Sequence, residues 1–125
     1  MAVIDPVKKV VLSRRPGVLH LGLVALLLSL AGCMSPQGFN QGDVMLYWET
    51  PQERRNGNLL PLSELGGFVI RYKATEESDY FVITINDNHI DQYLLEDIDN
   101  PHSAIIEVAA FDSEGRFSSW IRARQ

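Results

Sequence analysis

The sequence predicts an all-β sandwich for most of its length, and three observations predict it. From residue 43 onward apolar side chains recur at every second position, the period of a strand with one buried face. Clusters of Gly, Pro, Asn and Asp separate these runs, as turns separate short antiparallel strands. No stretch after residue 33 carries the 3.6-residue apolar stripe of an amphipathic helix. Short strands with no helices to cover a parallel sheet leave a two-sheet antiparallel architecture.

The elements follow in order. Val44, Leu46 and Trp48 share one face of the first run, with Met45, Tyr47 and Glu49 opposite. A long polar loop follows, marked by Pro51, Asn56-Gly57 and Pro61. Phe68, Ile70 and Tyr72 then lie opposite Val69, Arg71 and Lys73. The run at 78–87, SDYFVITIND, is β-branched and aromatic, as pleated surfaces favour. Tyr93 and Leu95 point together, with Ile98 following, and Asn100-Pro101 ends that run. Ala104, Ile106, Val108 and Ala110 share a face, Asp112–Gly115 turns the chain, and FSSWIRA at 117–123 supplies a last strand. The expected core is Val44, Leu46, Trp48, Phe68, Ile70, Tyr72, Tyr93, Leu95, Ile98, Ile106, Val108 and Ala110. With one cysteine in the chain there is no disulfide, so this core must do the stabilising.

The first 32 residues differ in kind. They carry Lys8, Lys9, Arg14 and Arg15 against Asp5, a net of +3, while residues 33–125 carry 7 Lys and Arg against 15 Asp and Glu, a net of −8. Residues 1–15 read as a basic leader. Val18–Leu30 is apolar apart from His20 and Ser29. As a helix it would span roughly 20 Å, short of the ~30 Å hydrocarbon layer. A basic region, a short apolar region and then small residues describe a secretory signal peptide over 1–32 rather than an uncleaved membrane anchor.

Leu30-Ala31-Gly32-Cys33 resembles the lipobox of bacterial lipoproteins. The resemblance implies diacylation of the Cys33 thiol, cleavage between Gly32 and Cys33, and a further acyl chain on the new amino terminus. The residue types suit that chemistry. Small Ala31 and Gly32 let a peptidase reach the backbone, and only Cys offers a nucleophilic sulfur. Met34, where the family uses Asp for retention at the inner membrane, implies the outer membrane, facing the periplasm. In a Gram-positive cell the same lipobox implies the outer face of the cell membrane. Residues 33–42, MSPQGFNQG after the cysteine, read as a flexible lipidated tether.

Residues 43–125 are similar to a fibronectin type III domain, an immunoglobulin-like β-sandwich. Val44-x-Leu46-x-Trp48-x-x-Pro51, Asn56-Gly57 and Phe68-x-Ile70-x-Tyr72 carry the resemblance through strands B and C. Tyr93-x-Leu95-x-x-Ile98 carries it through strand E, and Ile106-x-Val108-x-Ala110-x-Asp112-x-x-Gly115 and Ser118-Ser119-Trp120 through F and G. Two departures stand out. The tyrosine of the family's tyrosine corner falls at Ala104, and strand A has no counterpart after the tether unless Phe39–Gly42 folds back to supply it.

The functional expectations are mostly exclusions. A body this acidic is a poor nucleic-acid binder, because phosphate contacts need clustered Lys and Arg. His89 and His102 have no second His or Cys at ligand spacing, and the acidic stretches NDNHID and EDIDN lack the calcium-loop pattern. No nucleophile comes with a catalytic motif. No enzyme, metal or cofactor is expected. The expected function is a membrane-anchored, non-catalytic accessory or protein-interaction module. Its partners are the lipid bilayer, through acylated Cys33, and an envelope protein or a second copy. The alternative is a carbohydrate-binding module for cell-wall polysaccharide, which would need Tyr47, Tyr80 and Phe117 exposed in a row. Without strand A, the strand at 44–49 would be a sheet edge with Met45 and Tyr47 beside it, a candidate interaction edge.

The lipobox generates the first prediction. Cys33→Ser leaves the precursor uncut after Gly32 and unlabelled by radioactive palmitate, both read on a gel; palmitate on that variant would remove the lipobox reading.

Overall fold

A computed structural model describes residues 3–14 and 40–124. Lipobox Cys33, the apolar run at 18–30 and tether residues 33–39 lie outside the described residues. The described chain forms seven strands: β1 (Lys8–Arg14), β2 (Gln41–Glu49), β3 (Leu65–Lys73), β4 (Phe81–Ile85), β5 (Gln92–Asp99), β6 (Ile105–Asp112) and β7 (Ile121–Arg122). One 3-10 turn, Leu62–Glu64, precedes β3. Three strands make one sheet in the order β1-β2-β5, and four make the other in the order β4-β3-β6-β7. All five strand pairings are antiparallel. The architecture is therefore the all-β sandwich that the alternation predicts. The chain changes sheet between β2 and β3, β4 and β5, and β5 and β6, which packs the two sheets face to face.

The period-2 reading carries through to burial. Val44, Leu46 and Trp48 point inward from β2, meeting Phe68 and Ile70 of β3, Leu95 and Ile98 of β5, and Ile106, Val108 and Ala110 of β6. Tyr72 and Tyr93 pack against this cluster, partly buried. Trp48 and Phe68 meet at a ring separation of 5.1 Å, tilted by 53°, a favoured aromatic geometry. Leu60, Leu65 and Ile85 complete the body's share of the core. Register on β3 relies on a glycine: a Cβ on Gly67 would stand 2.0 Å from the Ile85 carbonyl oxygen. Only glycine admits that approach of β4, at the point where β3 is bulged against β6.

The front of the chain is the main departure from expectation. Residues 3–14, read from sequence as part of a basic leader, lie in the sandwich. Ile4, Val7 and Val10 are 0, 2 and 3% exposed and join the core. β1 lies along β2 with Lys8 opposite Glu49, Val11 opposite Tyr47 and Arg14 opposite Val44. It takes the place beside β2 that the sequence reading left open or gave to Phe39–Gly42. A shift of register between Lys8 and Val11, with Lys9 at φ 49°, marks a bulge, and the bulge turns both Val7 and Val10 inward although they are three residues apart. Of the tether, the described residues 40–42 do not cover the outer side of β2. Gln41 and Gly42 extend β2 and pair with Asp99 and Ile98 of β5.

The corner between β5 and β6 is held by a turn. Asn100, at φ 48°, accepts at its carbonyl from the amides of Ser103 (2.9 Å) and Ala104 (3.0 Å), and its own amide donates to the Asn40 carbonyl at 2.8 Å. Asparagine tolerates this left-handed conformation better than most residues.

Trp48 is the largest side chain joining the two sheets, so Trp48→Ala is expected to cost about 3–5 kcal/mol. Urea unfolding of the folded chain measures it; a loss below about 1 kcal/mol would mean that the core does not depend on this ring.

Candidate interaction edge

The sequence-predicted edge residues sit on the outward face of β2. Met45 is half-buried and Tyr47 is 41% exposed. Both belong to a strand that is paired on each side: Met45 lies between Ser13 of β1 and Leu94 of β5, and Tyr47 between Val11 and Gln92. In the full chain the backbone edge at β2 is therefore covered by β1; the expectation of an open edge concerns a domain without residues 1–32. The covering strand is bonded on both of its sides. Beyond its pairing with β2, Leu12 N–H donates to the Arg124 carbonyl and Arg124 N–H donates to the Val10 carbonyl, each at 3.0 Å. At its start, Asp5 N–H donates to Glu53 O at 3.1 Å and Arg55 N–H donates to Val3 O at 2.8 Å. Val11 of β1 is 46% exposed and flanks Tyr47 as a small apolar patch. Lys9 Nζ reaches Glu49 Oε1 at 2.9 Å, and that hydrogen bond raises the lysine pKa.

Two polar clusters were not visible from sequence spacing. The first ties the loop after β2 to the turn after β6. Arg54 is 4% exposed and its guanidinium donates to Asp112 Oδ2 (3.1 Å) and to Glu64 Oε2 (2.9 Å). Those hydrogen bonds, to Glu64 first and then Asp112, raise the Arg54 pKa. Arg116 Nε donates to Asp112 Oδ2 at 2.9 Å. The backbone amides of Glu114 (3.0 Å) and Arg116 (2.8 Å) donate to Asp112 Oδ1. Burial opposes ionisation of Asp112, but the hydrogen bonds from the Arg116 side chain and amide, from Arg54 and from the Glu114 amide outweigh it. They bring the carboxyl down to about 2.

The second cluster lies on the outer face of the four-stranded sheet. Arg71 is stacked between Tyr80 (4.4 Å to the ring centre) and Trp120 (4.1 Å). Its Nε donates to Glu107 Oε2 at 2.6 Å, and the Tyr80 hydroxyl donates to the same oxygen at 3.2 Å. Lys73 Nζ also lies over the Tyr80 ring, at 4.7 Å from its centre. The charges and rings in this cluster satisfy one another, which makes a stiff sheet face.

The remaining candidates fall apart in space. Tyr47 lies on the three-stranded sheet. Tyr80 is engaged with Arg71 on the other sheet, and Phe117, 51% exposed, leans on Phe111 at 5.7 Å. They form no row of three. His89 is exposed and sits 3.6 Å from Asp87. Among the described residues no group of three His, Cys, Asp or Glu side chains is placed to hold a metal ion, and no helix is long and apolar enough to cross a membrane. A cleft of about 380 Å³ opens at the end of β2, lined by Asp5, Lys8, Trp48, Glu49, Glu53 and Asp91 among others. Trp48 Nε1 is buried there without a hydrogen-bond partner among the described residues. No protein-family model matches this sequence, and no curated protein matches it.

The Asp112 cluster generates a pH prediction. A carboxyl held below its ordinary 3.8 stabilises the fold above that value, and the contribution is lost as pH falls from about 4 toward 2. Asp112→Asn is expected to cost about 3 kcal/mol at neutral pH, because Arg54 is left buried with part of its counter-charge removed. The variant is also expected to flatten the stability profile in that acid window. Urea unfolding between about pH 2 and 7 reads both effects; an unchanged acid slope would assign the acid sensitivity to other carboxylates.

Proposed function

We propose that this chain is the precursor of a bacterial lipoprotein whose body is a fibronectin type III-like, non-catalytic interaction module held at the membrane by acylated Cys33. The observation that carries the reading is the lipobox-like Leu30-Ala31-Gly32-Cys33, set behind a short apolar run and ahead of six of the seven strands of the sandwich. The strand order β1-β2-β5 and β4-β3-β6-β7 supports the fibronectin type III-like assignment, with β2, β3, β5, β6 and β7 standing where the motifs put strands B, C, E, F and G. Several acyl chains, at about 0.8 kcal/mol for each buried CH₂, make a durable anchor. The described polar clusters are each engaged in holding loops or stiffening a sheet, which supports a binding role over a catalytic one. Met34 after the cysteine supports the outer membrane, periplasmic face. The partner is an envelope protein or a second copy. The carbohydrate-binding alternative lacks its row of aromatic side chains.

Fractionation tests the reading. Wild-type protein is expected in the outer-membrane fraction of a sucrose gradient, with an intact mass that begins at Cys33 and includes the acyl groups. Met34→Asp is expected to move it toward the inner membrane. Protein recovered with residues 1–32 still attached, or free of lipid in the soluble fraction, would overturn it.

A further inference from the structure

We propose that cleavage before Cys33 vacates the place of β1, and that the mature domain uses the vacated slot to capture an extended, basic, β-branched segment of a partner protein. The inference rests on the lipoprotein reading, and it follows from where β1 lies in the chain. Everything that β1 contributes is upstream of the cleavage site. Removal takes away Ile4, Val7 and Val10, three side chains at most 3% exposed, and leaves three aliphatic-sized holes against Val44, Leu46 and Trp48. It also strips partners from both walls of the slot. On one wall the groups of β2 that face β1 lose their ladder. On the other, Arg124 loses its bonds to Val10 and Leu12, and Glu53 and Arg55 lose theirs to Asp5 and Val3. A groove with hydrogen-bonding groups on both walls and apolar holes along its floor is what an added strand fills.

The mature chain is poorly supplied to close this slot itself. β1 and its lead-in, Ile4–Arg14, span eleven residues, roughly 35 Å of extended chain. β2 begins at Gln41, so a two-residue turn before it leaves only residues 33–38 to fold back, roughly 20 Å. That segment is Cys-Met-Ser-Pro-Gln-Gly. It has no β-branched residue, its proline removes a ladder donor, and its first residue is held at the lipid. The occupant therefore comes from another chain, and the slot states its chemistry. It needs three aliphatic side chains at three-residue spacing across a bulge, the pattern of Ile4, Val7 and Val10. It needs a cation where Lys9 meets Glu49 at 2.9 Å. The net −8 of residues 33–125 and the carboxylates Glu49, Glu53 and Asp91 around the cleft at the slot's end favour a basic segment over an acidic one.

The native occupant serves as the probe. The mature lipidated protein is purified in detergent from membranes, its amino terminus is established by intact mass, and a fluorescent synthetic peptide of residues 3–14 is titrated into it. Saturable binding is expected. A peptide carrying Val7→Asp and Val10→Asp is expected to bind more than about tenfold more weakly, since each change forces a carboxylate into an apolar hole. Hydrogen exchange at the β2 amides that face the slot is expected to be fast in the mature protein and to slow when the peptide is added. Slow exchange there without peptide, or equal binding of the two peptides, overturns the proposal. A mature domain that is unfolded alone and gains its β-sheet signal with the peptide supports it; one that stays unfolded with the peptide overturns it. A mass that still includes residues 1–32 overturns the lipoprotein reading itself, and so is distinguishable from failure of the slot.

Discussion

Closure of the sandwich along one seam is the constraint on which the rest of this structure depends. Two sheets packed face to face leave open sides, and the described chain closes one of them with β1, which bonds to β2 on one side and to Arg124, just after β7, on the other. The seam also carries three of the most deeply buried aliphatic side chains, Ile4, Val7 and Val10. Backbone pairing and apolar burial are thus concentrated in one short segment. In a small domain with no disulfide, hydrophobic burial is the main stabilising term, and part of it is supplied by residues 4–10 at the front of the chain.

The polar clusters show how the rest of the frame is kept in register. Arg54 reaches from the loop after β2 to Asp112 and Glu64, and Arg116 closes on Asp112 from the following turn. A buried charge left alone would be costly, but here each is bonded to several partners, so the cluster acts as a clasp between two loops at one end of the sandwich. On the outer sheet face the stack of Tyr80, Arg71 and Trp120, bonded through Glu107, joins the approach to β4, then β3, β6 and the approach to β7. These groups are engaged with one another and hold the loops and the outer sheet face in place.

Much of the architecture was legible because alternation is a local signal. Most inward residues of β2, β3, β5 and β6 were identified from their own neighbours, Leu65 at the start of β3 being missed, and all twelve expected core positions lie in the core cluster or against it. The turn at Asn100 that holds the corner between β5 and β6 was not legible beyond its turn-forming residue types. The charge clusters could not be read, because Arg54 and Asp112 are 58 residues apart and no spacing rule connects them. β1 escaped for a different reason. Its inward residues fall at 4, 7 and 10, a spacing of three that matches no regular strand, and only the bulge at Lys9 makes it one. A basic flank beside an apolar run reads equally as a leader.

By itself the sequence determined the all-β class and the inward face of four strands, and it raised the proposal of a lipobox at Cys33. The class and the faces are set by side-chain period, which acts over a few residues. The tertiary structure alone decided which strand covers β2, how the corner at Asn100 is held, and which distant charges meet. Those outcomes depend on which surfaces come together when two sheets close on each other, and strand pairing across more than thirty residues leaves no trace in local spacing.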